Sequence, residues 1–325
     1  MVKAEDWIVK KYEGPKSFTA IQGYDFSQPF NLQEFLLRLG TTGFQASNLK
    51  EAITIFKEMR KQKARIFLGY TSNLVSSGVR DIIAFLVKKK MVDVLVTTTG
   101  GVEEDLIKAK KPFMLGKFEE KGEDLLKKGI ARVGNVYIPT DRYCWFEDFL
   151  NPILEELYQQ QKKDGLILTP SRLIDEMGKR IHEESSIYHW AAKHKIPTFC
   201  PAIVDGSIGD IIYVFKNKHP DFVLDVSEDM VKHNELAVTA TKTGIILLGA
   251  GLIKHHICNA QIFRNGADYA IYINSNLEFD GSDSGARIEE AITWRKINEK
   301  APSVKVYGDA TIIFPLIVAG VLDGK

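Results

Sequence analysis

Between Glu278 and Lys296 the chain reads E-F-D-G-S-D-S-G-A-R-I-E-E-A-I-T-W-R-K. Five carboxylates and a Gly/Ser-rich turn lead into a short helical pattern that closes on Trp294 and Lys296. Carboxylates hold cations, and a lysine kept neutral by burial attacks carbon as a free amine. A second group is K-H-H at 254–256. Adjacent histidines point to different faces of an element, and no third residue has metal-ligand spacing, so no metal is expected. One of the two suits hydrogen bonding or proton transfer. Glu103-Glu104-Asp105 form a third group. They read either as acids favoured by a helix dipole in its first turn or as part of a cation site. Asp205 and Asp210 flank glycines, which is ordinary turn chemistry or part of the same convergence of acids.

The elements that must position these groups alternate along the chain. Asn31 suits the cap of a helix that stops at Gly40, and Ser47 or Asn48 the cap of the next, whose apolar face is Leu49, Ile53, Phe56 and Met59. Apolar runs predict strands at Arg65–Tyr70, Val92–Thr97, Thr198–Cys200, Gly244–Leu248, Tyr269–Ile273 and Val304–Tyr307. Helices fall between them: from about Arg80 to the lysines 88–90, near Glu103–Lys110, from Tyr143 to Gln161, and one capped by Ser171. Residues 113–142 read as irregular. Strands separated by helix-length segments predict an α/β fold, a doubly wound and mostly parallel sheet with helices on both faces, Rossmann-like. No linker, repeat or low-complexity tract divides 23–325, which reads as a single domain. Residues 1–22 read as a short helical arm, with Trp7, Ile8 and Tyr12 on one face before the Gly14-Pro15 break.

Every predicted strand ends in small or acidic residues. These are Thr71 to Gly78, Thr98 to Asp105, Asp205 to Asp210, Gly249-Ala250-Gly251, Asn274-Ser275-Asn276 and Gly308-Asp309-Ala310. Ligands of doubly wound sheets bind outside the carboxyl ends of the strands, where small residues let backbone N–H groups approach a phosphate. Neither T-T-G-G nor G-A-G is the full G-x-G-x-x-G fingerprint, so a dinucleotide site here is a variant one.

Bulk properties exclude some classes. A formal net charge of +1 over 325 residues argues against bulk binding of nucleic acid or an anionic membrane. Cys144, Cys200 and Cys258 are scattered and odd in number, so a disulfide framework is not expected. Acids stand where a signal peptide is apolar, and the apolar runs are too short to span a bilayer. A cytoplasmic protein is expected.

In order and combination, several motifs resemble one family, deoxyhypusine synthase. They are G-Y-T-S-N-L-V-S-S-G at 69–78, T-T-T-G-G-V-E-E-D at 97–105, D-G-S-I-G-D at 205–210, K-H-H at 254–256, R-N-G-A-D-Y-A at 264–270 and E-F-D-G-S-D-S-G-A-R at 278–287. The resemblance runs from Gly23 to Ala319. It implies NAD-dependent transfer of the aminobutyl group of spermidine to one lysine of the precursor of translation initiation factor 5A. It also implies a homotetramer with active sites at subunit interfaces and an N-terminal segment that covers a neighbouring site. Carried over by motif, Ser72, Asn73, Leu74, Val75, Ser76, Thr98, Thr99, Gly100, Glu104, Asp205, Ala250, Ser275, Asn276, Asp309 and Ala310 contact NAD. Glu103, Glu104, Asp210, His255, Gly281, Ser282, Asp283, Glu290 and Trp294 line the polyamine channel. Lys296 is the nucleophile that holds the butyl group as a Schiff base, and His255 helps to move a proton.

Three positions depart from the family pattern: Arg295 and Ala250 stand where glycine is usual, and Ser275-Asn276 where Thr-Ala is common. Two other activities fit most of the same residues. One is homospermidine synthase, with putrescine as acceptor. The other is an idle paralogue that regulates an active subunit, against which the retained Lys296 argues.

Overall fold

A computed structural model of the chain describes Lys3, Gly14 and residues 18–322. The expected helix of the N-terminal arm lies outside the described residues. The described residues contain nine strands: β1 (Arg65–Tyr70), β2 (Val94–Thr97), β3 (Met114–Leu115), β4 (Ile130–Val133), β5 (Val136–Pro139), β6 (Thr198–Phe199), β7 (Thr243–Leu248), β8 (Tyr269–Asn274) and β9 (Ser303–Tyr307). Six of them form one sheet in the order β6-β2-β1-β7-β8-β9, and every pairing in it is parallel. Numbered along the chain, that order is 3-2-1-4-5-6, the Rossmann arrangement, with its switch point between β1 and β7. Every residue of β2, β7 and β8 is buried. Burial on both faces explains why these strands read as unbroken apolar runs.

Alternate side chains feed two cores. Leu68, Ile246 and Ile271 join Phe56, Ile83, Leu106 and Phe314 on one face. Phe67, Ile245, Leu247 and Tyr272 join Ile253, Ile257 and Cys258 on the other. The outer edge of β9 is closed by side chains of the helix Phe44–Lys61. Asn48 Nδ2 donates to Lys305 O at 3.0 Å, and Tyr307 N donates to Gln45 Oε1 at 2.7 Å.

Asn31 caps the first helix, Leu32–Thr42, as expected, by accepting from Glu34 N. The next boundary differs. The helix begins at Phe44 after Gly43, and Ser47 Oγ, inside it, accepts from Gly43 N and donates to Gly40 O instead of capping. Thr169, not Ser171, caps the helix Pro170–Ile181. Pro170 occupies its first turn, where a missing N–H costs nothing. Ser171 Oγ is engaged with Asp229 Oδ1 at 2.5 Å. Residues 113–142 are not irregular: β3, β5 and β4 form an antiparallel sheet with a helix at Gly122–Lys127. Both residues of β3 and three of four in β4 are exposed, so the segment carries no apolar alternation to read. Among the described residues no helix is long and apolar enough to cross a membrane.

Candidate active site

Three groups of residues gather on the carboxyl-end rim of the sheet. The first is a cleft of about 670 Å³ at the switch point. Thr71, Asn73 and Leu74 line it after β1, Gly249 and Ala250 after β7, Asn274, Ser275 and Asn276 at the end of β8, and Gly308, Asp309 and Ala310 after β9. Gly249 has φ +85°, and a Cβ there would meet Thr71 Oγ1 at 2.6 Å, so both the turn and the packing require glycine. Ala250, by contrast, is not among the residues with positive φ, so alanine fits its backbone without strain. Asp309 caps the helix Ala310–Val321 by accepting from Thr311 N at 2.8 Å, which turns a helix N-terminus toward the cleft. Asn274 is buried, and its Nδ2 has no partner. A buried donor left free at the end of a strand fits a hydrogen-bonding ligand in this cleft.

The second group is acidic and sits on the helix Thr99–Lys110, which starts four residues before the expected Glu103. The three acids therefore lie beyond the first turn, and the dipole does not account for them. They divide in function. Asp105 is fully buried and structural: Arg80 Nε donates to it at 2.7 Å, Ser186 Oγ at 2.6 Å and Ile187 N at 3.1 Å, which anchors the helix Ile187–His194. Glu103 accepts from Ile208 N at 3.0 Å, at the start of the helix Ser207–Lys218. Burial raises its pKa against those backbone donors, and Asp210 adds like charge. Burial also pushes Glu104 up to about 7, although Ser76 Oγ donates to its Oε2. Thr98 Oγ1 accepts from Ser72 N at 3.1 Å, and a Cβ on Gly100 would meet Ser72 Cβ at 2.8 Å, so these loops pack closely. Thr99 Oγ1 donates to Ala202 O at 2.6 Å. Val75 and Ser76 are buried, whereas Asp205 and Asp210 are exposed.

The third group holds the lysine. Lys296 is half-buried, with Nζ 6.0 Å from the centroid of the exposed Trp294 ring. Lys254 is buried beneath the 283–286 turn, and its Nζ donates to Asp283 O and to Ala286 O (3.1 Å for the latter). Burial lowers its pKa; the charges that act on it include Asp283, Cys258, Glu290 and Lys296, which places these residues in one neighbourhood. Asp283 Oδ2 is buried and has no partner. Gly281 and Ser282 are exposed, with Ser282 N and Oγ both bonded to Asp280 Oδ1. His255 is exposed on the helix Leu252–Ile262, and its neighbour His256 stacks on His233 at 4.3 Å. Among the described residues no cluster of ligating side chains could hold a metal.

The sequence singled out Lys296, Asp283 and Glu290 but not the groups that support them. Ser284 lines the cleft, and Tyr143 lies near Glu104 and Glu103, whose charges join burial in raising its pKa. Asn259 could have been found from its spacing of four residues from His255. The burial of Lys254 carries no such signal.

A parallel sheet in the 3-2-1-4-5-6 order with a cleft at its switch point defines a Rossmann-like α/β protein. The family model for deoxyhypusine synthase matches residues 34–321. A deoxyhypusine synthase of Arabidopsis thaliana is 49% identical over 326 residues, covering 92% of this chain and 89% of the relative. That of Caenorhabditis elegans is 46% identical over 340 residues, with 96% and 92% covered. A solved structure from Entamoeba histolytica, provisionally described as a deoxyhypusine synthase, superposes with a TM-score of 0.62 at 30% identity, covering 92% of this chain and 96% of that one. The chain belongs to the deoxyhypusine synthase family, whose members are NAD-dependent transferases.

Proposed function

We propose that Lys296 carries the aminobutyl group of spermidine on its way to the lysine of the translation initiation factor 5A precursor. The observation behind this reading is the neighbourhood of Lys254, Asp283, Glu290 and Lys296, with a buried, unpartnered Asp283 oxygen ready to receive a cation. Asp283, Glu290, Glu103, Glu104 and Asp210 are the carboxylates for the protonated amines of the polyamine, and Gly281, Ser282, Trp294 and His255 complete the channel. Ser72 to Ser76, Thr98 to Gly100, Asp205, Ala250, Ser275, Asn276, Asp309 and Ala310 are the residues for the cofactor. The free Asn274 amide and the positive φ of Gly249 support that assignment. When bound, NAD would supply the acceptor for a hydride taken from the polyamine and would give it back to the final product, so that it is not consumed. Lys296 Nζ bonds the carbon of the reacting C–N unit, that C–N bond breaks, and the departing 1,3-diaminopropane takes the proton that the lysine nitrogen sheds.

Residues 23–325 act as one catalytic domain in this reading, with 1–22 as an arm. Assembly into a homotetramer is supported by exposed apolar side chains such as Tyr213, Met230, Val231 and Phe263. The test is incubation with NAD, labelled spermidine, and either the factor precursor or putrescine. Label in the factor supports the reading. Label only in homospermidine reassigns the acceptor, and no transfer at all points to a regulatory role. Borohydride should trap a covalent adduct on the protein, and Lys296→Arg should abolish the adduct while NAD still binds. An adduct trapped on that variant places the nucleophile elsewhere.

A further inference from the structure

His255 and Asn259 lie four residues apart on the helix Leu252–Ile262, so they share a face. Asn259 Nδ2 stands 3.1 Å from His255 Nδ1. An amide nitrogen has hydrogens and no lone pair to offer, so Nδ1 is the acceptor. In a neutral imidazole the other nitrogen then carries the proton. The rotation of this helix is fixed independently. Ile253, Ile257, Cys258 and Ala260 are buried in the core, and His256 stacks on the buried His233 with the rings 24° from parallel. The His255–Asn259 face is thereby held on the outer side, where His255 is exposed and Asn259 half-buried. Among the described residues Asn259 is the one side chain hydrogen-bonded to the His255 ring.

We propose that Asn259 is a positioning residue that sets the tautomer of the neutral His255 ring, leaving Nε2–H as its outward donor. The proposal rests on the reading that His255 faces the polyamine, and it sharpens that role. A ring in this state has no free lone pair, so it does not act as a base. It offers one N–H, whose partner is a nitrogen lone pair: a neutral amine or imine nitrogen, not an ammonium group. The polyamine site thus divides its labour. The carboxylates take the charged ends, and His255 takes the uncharged nitrogen at the reacting centre.

The experiment is nitrogen NMR of the full chain labelled in histidine, with His255 assigned by its loss in His255→Gln. At a pH where the ring is neutral, the wild type should show the Nε2–H form. Asn259→Asp replaces the donor with an acceptor and should switch His255 to the Nδ1–H form. An Nδ1–H form in the wild type, meaning that the amide oxygen faces the ring, overturns the proposal, as does an unchanged tautomer in Asn259→Asp. In the same samples kcat for aminobutyl transfer should fall about a hundredfold, the low end of what a positioned proton donor contributes, with NAD affinity unchanged. If Asn259→Asp does not fold, the wild-type spectrum decides alone. The expected tautomers with no transfer activity in the wild type count against the assigned reaction and leave the positioning intact.

Discussion

Lys254 and Lys305 hold the same loop through four backbone carbonyls. Lys254 donates from its helix to Asp283 O and Ala286 O, and Lys305 donates from β9 to Asn276 O at 3.1 Å and Gly285 O at 2.7 Å. Both amines have lowered pKa values, with burial as the leading cause. The loop between them carries Asp283 and runs on toward Glu290 and Lys296. Charge-assisted bonds to carbonyls exceed neutral ones in strength, so the acidic turn is fixed before any substrate arrives.

Replacing Lys254 by Met keeps most of the volume and strands two carbonyls. We expect a stability loss of about 2–3 kcal/mol, the range for buried bonds to a charged donor. Lys305→Met should cost less because that amine is only half-buried. Urea unfolding measures both, and limited proteolysis should cut the 276–286 segment sooner in each. Equal resistance to cleavage in variant and wild type means that the loop is held by other contacts.

His233 and His256 make the fold sensitive to acid. His233 is fully buried with neither ring nitrogen partnered, and it packs edge-on to Phe67 and Phe199. Burial pushes it down to about 3, with His256 adding to the shift, and burial pushes His256 down to about 4, with His255 adding. Both values lie below the ordinary 6.5, so the unfolded chain binds protons that the folded chain refuses. Their contribution is whole above pH 6.5 and is lost as pH falls toward 4, at about 1.4 kcal/mol per pH unit for each proton. His233→Phe should flatten this slope between pH 6 and 4.5 in urea melts. A slope identical to that of the wild type assigns the acid sensitivity to other groups.

Glu104 titrates in the opposite sense. Its pKa is raised to about 7, so the ligand-free protein keeps a proton there that an unfolded chain loses near 4.5, and this part of the stability fades as pH rises through 7. A cation brought beside it favours the carboxylate and expels the proton. Polyamine binding at pH 6.5 should therefore release protons, and affinity should rise between pH 6 and 8. Calorimetry in buffers of different ionisation enthalpy counts them. Glu104→Gln should remove the proton release; its persistence in that variant places the linked group elsewhere.

Arg295 stands exposed at φ +57°, in the left-handed region that an L side chain enters at a cost of roughly 1–2 kcal/mol. Glycine avoids that cost but gains entropy in the unfolded chain, which offsets about half of it. Arg295→Gly should then raise stability by up to about 1 kcal/mol. The rate of transfer should change little, since the arginine faces solvent. A large loss of kcat would mean that its charge reaches the site after all.

The strands were legible because they are buried on both faces, and β1 falls on the expected residues from Arg65 to Tyr70. Caps were less so. Ser47 and Ser171 have the right chemistry, but tertiary partners, Gly40 and Asp229, take their hydroxyls. The small sheet at 114–139 was hidden by exposure. Within the site, residue types and motif order pointed to Lys296 and its acids. The division among Glu103, Glu104 and Asp105 was not readable, because three consecutive helical residues diverge by turns and only packing decides which one meets Arg80.

The closure of β9 by Asn48 and Gln45 has a consequence for how copies of this chain meet. One border of the sheet is already bonded to its own helix, and the other, β6, offers only two residues, Thr198 and Phe199. Neither border offers a long row of free amides to an incoming strand. The mouth of the switch-point cleft therefore lies outside any strand-to-strand seam, and the folded chain is protected from ladder-like clumping.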